Sequence, residues 1–166
     1  MNMPDVTFSA EFYPNGAPLD VRASIPEVPM LPVSRNAIQF LQERLLESFP
    51  EYDGDERTHH HFAPGIYARE YRMNSGEVVI GKIHRHQHFA LLVSGDAYVA
   101  TERGQELVTG PMFFLSYPGA KRAVYAVTDV IFLTIHPNPS DTRDIAEIER
   151  EMVCSDYEEY DARAMQ

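Results

Sequence analysis

Three histidines at alternating positions, His84, His86 and His88, are the residues in this chain best suited to chemistry. In an extended strand, residues i, i+2 and i+4 share one face. The three imidazoles can then converge on one point, and imidazole is the commonest protein ligand of transition metals near neutral pH. A tight corner after His84 gives a second arrangement, with His86 swung outward while His84 and His88 still converge. A fourth candidate, His136, closes a later apolar run just before Pro137. Water can take the remaining positions, as a catalytic metal requires. The competing reading is a surface or hydrogen-bonded cluster, with His136 bonded at a strand end. His59, His60 and His61 are adjacent, so in an extended chain they alternate faces and cannot all reach one metal. They read as loop residues at the entry to the following strands.

The elements that must position these histidines follow from hydrophobic rhythm. Residues 64–136 alternate in short runs broken by turns such as Asn74-Ser75-Gly76, Ser94-Gly95-Asp96 and Tyr117-Pro118-Gly119. Strands are predicted over 66–73, 78–84, 89–93, 97–101, 106–108, 112–116, 121–127 and 130–136. Even spacing of this kind predicts a closed antiparallel barrel or a double-sheet roll. Upstream, residues 1–33 hold six prolines and read as an extended arm. Its apolar residues, Phe8, Phe12, Tyr13, Ile25, Val28, Met30 and Leu31, suit packing on the barrel or on a partner subunit. Ser34 is a suitable N-cap for a helix with Ile38, Leu41, Leu45, Leu46 and Phe49 on one face, ended by Pro50. A last helix, capped by Ser140 or Asp141, runs to Met152 on an Ile145, Ile148, Met152 stripe. The acidic tail 155–166 reads as mobile. The chain divides as 1–63, 64–136 and 137–166 within one structural domain.

Composition bounds the function. The 166 residues, 44% apolar and 23% charged, suit one globular domain with a real core. The net charge of -11 falls as -6, +1 and -6 over those three stretches. Acidic flanks oppose unassisted nucleic-acid binding. No apolar run approaches the roughly 18 residues of a membrane span, and the N-terminus does not read as a secretory signal. A cytoplasmic location is therefore expected. The single Cys154 cannot form an internal disulfide and reads as inert.

Residues 64–136 resemble the cupin superfamily. His84-Arg85-His86 matches the His-x-His pair of its first motif. His88 stands at the place of the motif's glutamate, before Gly95, with a spacing two residues shorter than usual. Tyr117-Pro118-Gly119 matches the turn of the second motif, and Arg122 occupies the place of that motif's histidine. Gly81, His84, His88, Thr134 and His136 are similar to the pattern of small single-domain cupins found among bacteriophage and proteobacterial hypothetical proteins. The resemblance implies an all-β cupin jelly-roll barrel with an N-terminal arm and helix and a C-terminal helix. It implies a site, not a substrate.

On that frame His84, His86, His88 and His136 are the expected ligands of a divalent transition metal, Zn, Fe, Ni or Mn. Arg122 cannot ligate a metal but can clamp a carboxylate or phosphate with its planar fork, the alternative being a salt bridge to Glu70 or Glu106. Tyr98 is expected on the substrate, and Tyr125 and Glu70 in catalysis, Glu70 as a general base if it faces inward. Tyr67 and Tyr71 are further lining candidates. The leading expectation is a homodimeric metalloenzyme acting on a small, anionic molecule by isomerase, dioxygenase or lyase chemistry. The other is a non-catalytic binding or assembly module with a structural ion or none.

Overall fold

The computed structural model describes residues 6–8, 34–48 and 55–165. Twelve strands and three helices occur among them: β1 (Val6–Phe8), α1 (Arg35–Ser48), β2 (Thr58–Ala63), β3 (Ile66–Met73), β4 (Val78–Ile80), β5 (Ile83–His84), β6 (His88–Ser94), β7 (Asp96–Thr101), β8 (Gly104–Thr109), β9 (Met112–Ser116), β10 (Ala123–Ala126), β11 (Val130–Pro137), α2 (Ile145–Met152), β12 (Val153–Cys154) and α3 (Tyr157–Ala164). Two five-stranded antiparallel sheets, in the orders β1-β4-β10-β7-β8 and β2-β3-β11-β6-β9, form a double-sheet roll, one of the two arrangements that the turn rhythm predicts and the jelly roll that the resemblance implies. A third, two-stranded sheet pairs β12 with β5.

Side chains alternate across each sheet, and the inner faces meet in a shared core. Met73, Leu92, Ala97, Val99, Val108, Val124, Ala126 and Val130 are buried together, with Tyr71, Val79, Phe114 and Phe132 packed against them. The opposite face of the first sheet is covered by α1, where Ile38 packs on Ile80 and Ala123. Ser34 begins that helix, its hydroxyl accepting from the backbone of Ala37 at 3.2 Å. Leu41 and Leu46, expected on the covered face, stay exposed. Helix α2 packs against the second sheet, with Ile148 and Met152 on Tyr67.

Several expectations need correction. Thr58–Ala63 is a strand, not a loop, and it carries His59, His60 and His61 along β3. Asp144 caps the late helix, its carboxylate accepting from Ala146 and Glu147, so that helix begins beyond Ser140 and Asp141. Part of the acidic tail forms α3, capped by the Asp156 carboxylate. The predicted strand 78–84 is two, because the chain leaves the ladder at Gly81-Lys82. Most of the proline-rich arm lies outside the described residues; Val6–Phe8 pairs with β4. Among the described residues no helix is long and apolar enough to cross a membrane.

Candidate metal centre

Three elements bring the histidines together. β11 runs antiparallel to β6 with Ile135 opposite Phe89, so the next step along places His136 beside His88 on the inner face. His84 arrives from β5, which is held on several sides. Its backbone N–H donates to the Ala120 carbonyl at 3.2 Å, and its carbonyl accepts from Gly119 at 2.8 Å. Val153 of β12 is its Cα partner. The Tyr117-Pro118-Gly119 turn therefore supports His84 rather than supplying a ligand. Gly119 has a φ of 80° and is buried, and a Cβ there would come within 3.1 Å of Arg35 and 3.2 Å of the Tyr160 ring. Glycine alone suits that position.

The ring centroids of His84 and His88 are 4.0 Å apart, those of His88 and His136 4.4 Å, and those of His84 and His136 5.3 Å. One nitrogen from each lies within 4.8 Å of the others. Nδ1 of His84 and Nε2 of both His88 and His136 are buried without a hydrogen-bond partner. Buried polar atoms are nearly always satisfied, so three orphaned nitrogens in one place need an explanation. Burial keeps the rings neutral. It pushes His84 well below the ordinary imidazole range, His88 to about 4 and His136 to about 3. The neighbouring histidines and Arg122 reinforce the effect on His84, and Arg122 does so on His88, against a raising hydrogen bond to the His86 carbonyl. A neutral imidazole with a free lone pair is the form that binds a metal. Three such nitrogens fit a divalent transition metal and leave further coordination positions open.

His86 does not join them. Arg85 and His86 form a bend that breaks the period of two, and the His86 side chain is exposed. Glu70 also lies apart. Tyr67, Tyr71 and Met73 of β3 face inward, whereas Glu70 falls on the opposite face and takes hydrogen bonds from Arg72 and His61. Those two partners lower its pKa against the effect of burial, so it is a paired anion. Tyr98 and Tyr125 oppose each other across β7 and β10. Their neighbours Ala97, Val99, Val124 and Ala126 fill the core, so both tyrosines face the other side, where α1 packs. Neither reaches the histidines. Tyr67, by contrast, is fully buried with its ring 6.3 Å from that of His136.

A cavity of about 90 Å³ opens beside the triad, lined by His84, His136 and Arg122 together with apolar residues such as Val79 and Phe132. Arg122 makes no side-chain hydrogen bond or ion pair among the described residues. Glu70, one of the acids expected to pair with it, is bonded to Arg72 and His61 instead. Burial lowers the Arg122 pKa to about 10, so it stays charged at neutral pH. The sequence reading missed three charged residues here. Arg69 and Lys82 line the cavity, and both donate to Glu149 of α2, Lys82 at 3.1 Å. Arg69 follows Tyr67 by two positions on β3, so strand parity was the signal that placed it inside. Nothing local marked Glu149. On the far side of the triad, His88 and His136 border a wider apolar recess of about 400 Å³ with Phe89 and Leu115.

The arrangement is a β-roll with three histidines grouped so that they could hold a metal ion. Among solved structures, the chain is similar to a cupin superfamily protein from Desulfitobacterium hafniense, at 11% identity over 48% of this chain and 74% of that one, with a TM-score of 0.42. It is similar to a Cupin 2 conserved barrel domain protein from Salinispora arenicola, at 10% identity over 55% and 83%, with a TM-score of 0.43. An acetylacetone dioxygenase from Acinetobacter johnsonii is a third, at 14% identity over 48% and 58%, with a TM-score of 0.41. At these scores the likeness carries no argument about chemistry. No protein-family model matches the chain, and no curated protein matches it in sequence.

Proposed function

We propose that this protein is a metal-dependent enzyme acting on a small anionic molecule, with a divalent transition metal held by His84, His88 and His136. The observation that carries the reading is the trio of buried, unpartnered imidazole nitrogens at the edge of a cavity that also holds an uncompensated arginine. When bound, such an ion polarises a carbonyl or hydroxyl oxygen, or activates water or dioxygen. The protein's own residues do the rest. The Nδ1–H of His88 donates to the His86 carbonyl, 3.1 Å away, which orients the ring. Arg122 binds and orients the anionic group. Val79, Val124 and Phe132 keep water from the cavity and strengthen that contact by lowering the local dielectric. Isomerase, dioxygenase and lyase chemistry are the candidate reactions.

The choice between enzyme and structural module rests on ligand count. A structural ion is enclosed by four protein ligands, whereas three leave room for substrate. Three histidines, with no carboxylate in the group, favour the enzyme. The test is elemental analysis of purified protein beside the His84→Ala/His88→Ala variant. Stoichiometric transition metal in the first and near none in the second is the expected result. Equal content in both would overturn the site. The proposal includes a cytoplasmic homodimer. Exposed Phe89, Phe113 and Leu115 on the outer face of the second sheet support a dimer, and sedimentation of Phe113→Ser against the parent checks it.

A further inference from the structure

This inference rests on the proposed function and narrows its substrate. Three cationic side chains line the cavity beside His84 and His136. Arg69 lies on β3 opposite Thr134 of β11. Lys82 and Arg122 stand just beyond the paired ends of β4 and β10, where the Gly81 amide donates to the Arg122 carbonyl at 2.9 Å. Glu149 of α2 joins two of the three, accepting from Arg69 through one carboxylate oxygen and from Lys82 through the other. Its single negative charge is shared between two positive ones, so that trio keeps one positive charge. Arg122 adds another, with no ion-pair partner among the described residues. Counted over these four side chains, the cavity is doubly positive. The three imidazoles, neutral through burial, do not alter the count.

The charge bears on the triad itself. After burial and the neighbouring histidines, Arg122 and Arg69 both add to the lowering of the His84 and His136 pKa values. Apolar walls such as Val79, Val124 and Phe132 keep the dielectric low, and a charged concavity with such walls focuses its field on the space it encloses. A singly charged ligand would leave positive charge there without a counter-charge, which is costly out of water. A doubly charged one neutralises it. At roughly 10–15 Å³ per water-sized site, the cavity of about 90 Å³ admits a molecule of few atoms.

We infer that the substrate is a compact dianion, its negative charge shared between Arg122 and the Arg69–Lys82–Glu149 trio. A short dicarboxylate and a phosphoryl group have this chemistry in common. Glu149 is then a specificity-determining residue that need not touch the substrate, because cancelling one of the three positive charges moderates the preference.

The probes are pairs of similar size that differ by one charge: malonate against monomethyl malonate, and hydrogen phosphate against methanesulfonate. They are titrated by calorimetry into the full chain, metal-loaded and metal-free, at a pH where malonate and hydrogen phosphate are both doubly charged. The metal-free titration reads the charge of the side chains alone. There, in at least one pair, the dianion is expected to bind about tenfold or more tightly than its partner. The pair with the wider gap tells a dicarboxylate from a phosphoryl group. Arg122→Gln should lose about tenfold or more of the dianion affinity while its metal content stays at the parent level. Lys82→Gln should narrow the gap. Glu149→Gln, which uncovers a positive charge, should widen it, a gain that lost structure does not produce. Monoanions binding the parent as well as the dianions in both pairs overturns the inference, as does full dianion affinity in Arg122→Gln or a gap no wider in a folded Glu149→Gln. Should that last variant fail to fold by circular dichroism, Lys82→Gln and the comparison on the parent chain decide. Dianion selectivity in a chain that takes up no metal would sink the metal reading and leave this one standing. Stoichiometric metal without the selectivity would do the reverse.

Discussion

The carbonyl of His86 lies 3.1 Å from Nδ1 of His88. A carbonyl can only accept, so Nδ1 carries the proton and the lone pair of neutral His88 sits on Nε2, the nitrogen left unpartnered inside the triad. His86 thus serves the centre through its backbone while its side chain points to solvent. His86→Ala should keep its full metal complement. His88→Ala should lose metal affinity by more than the roughly 10–100-fold typical of disturbing a ligand's supporting hydrogen bond. Metal titration of the two variants checks this, and loss in His86→Ala would contradict it.

Chelation should destabilise the protein. If the triad binds its ion in the folded state only, a hundredfold excess over Kd contributes about 2.7 kcal/mol. For a domain of this size that is about 5–11 °C in Tm. Calorimetric scans with and without chelator measure it, and the His84→Ala/His88→Ala variant should show no response.

The pH dependence of the metal-free protein has a definite sign. His88 at about 4 and His136 at about 3 stay neutral in the fold, while in the unfolded chain they titrate near 6.5. The unfolded state therefore takes up protons first as pH falls. Stability should be level above about pH 6.5 and decline toward pH 4, by up to about 3 kcal/mol for His88 alone. Glu70 and Glu149, held below the usual carboxylate range, add their loss only under about pH 4.5. Urea midpoints from pH 7 to 4.5 isolate the histidines, and a flat profile there would refute the assignment. His88→Gln/His136→Gln should shrink the decline and leave the share due to His84, which burial also holds neutral.

Gly119→Ala should cost about 1 kcal/mol or more, since alanine resists positive φ and its methyl would press on Arg35 and Tyr160. Because the Gly119 amide supports the His84 carbonyl, metal affinity should fall with it. Denaturant midpoints and metal titration read the two effects separately.

Tyr125→Phe, Tyr98→Phe and Glu70→Gln should leave metal content unchanged, because all three side chains face away from the triad. A change in any of them would mean that the outer face communicates with the site.

The contrast between the histidines and these three shows what the chain's order of residues discloses. The strands of the roll were legible because turns such as Ser94-Gly95-Asp96 punctuate apolar runs at even spacing. His84, His88 and His136 were legible as candidates because they end or begin such runs. The position of His86 depended on a bend that no period-of-two argument contains. Tyr98 and Tyr125 sit in runs that are apolar on both faces, so alternation gave no inside or outside. β2 has the look of a loop in the sequence because His59, His60 and His61 carry no apolar alternation, although β3 pairs with it along its length. Glu149 reaches Arg69 and Lys82 only through the packing of α2 against β3, a relationship between distant segments with no local signature.

The pairing of β12 with β5 ties one edge of the histidine triad to residues 153 and 154, well beyond the last strand of the roll. Arg85 strengthens that tie by donating to the Arg150 and Glu151 carbonyls at the end of α2. It follows that the strand carrying His84 has its second edge covered only once Val153 and Cys154 have docked, while Gly119 and Ala120 hold its other edge.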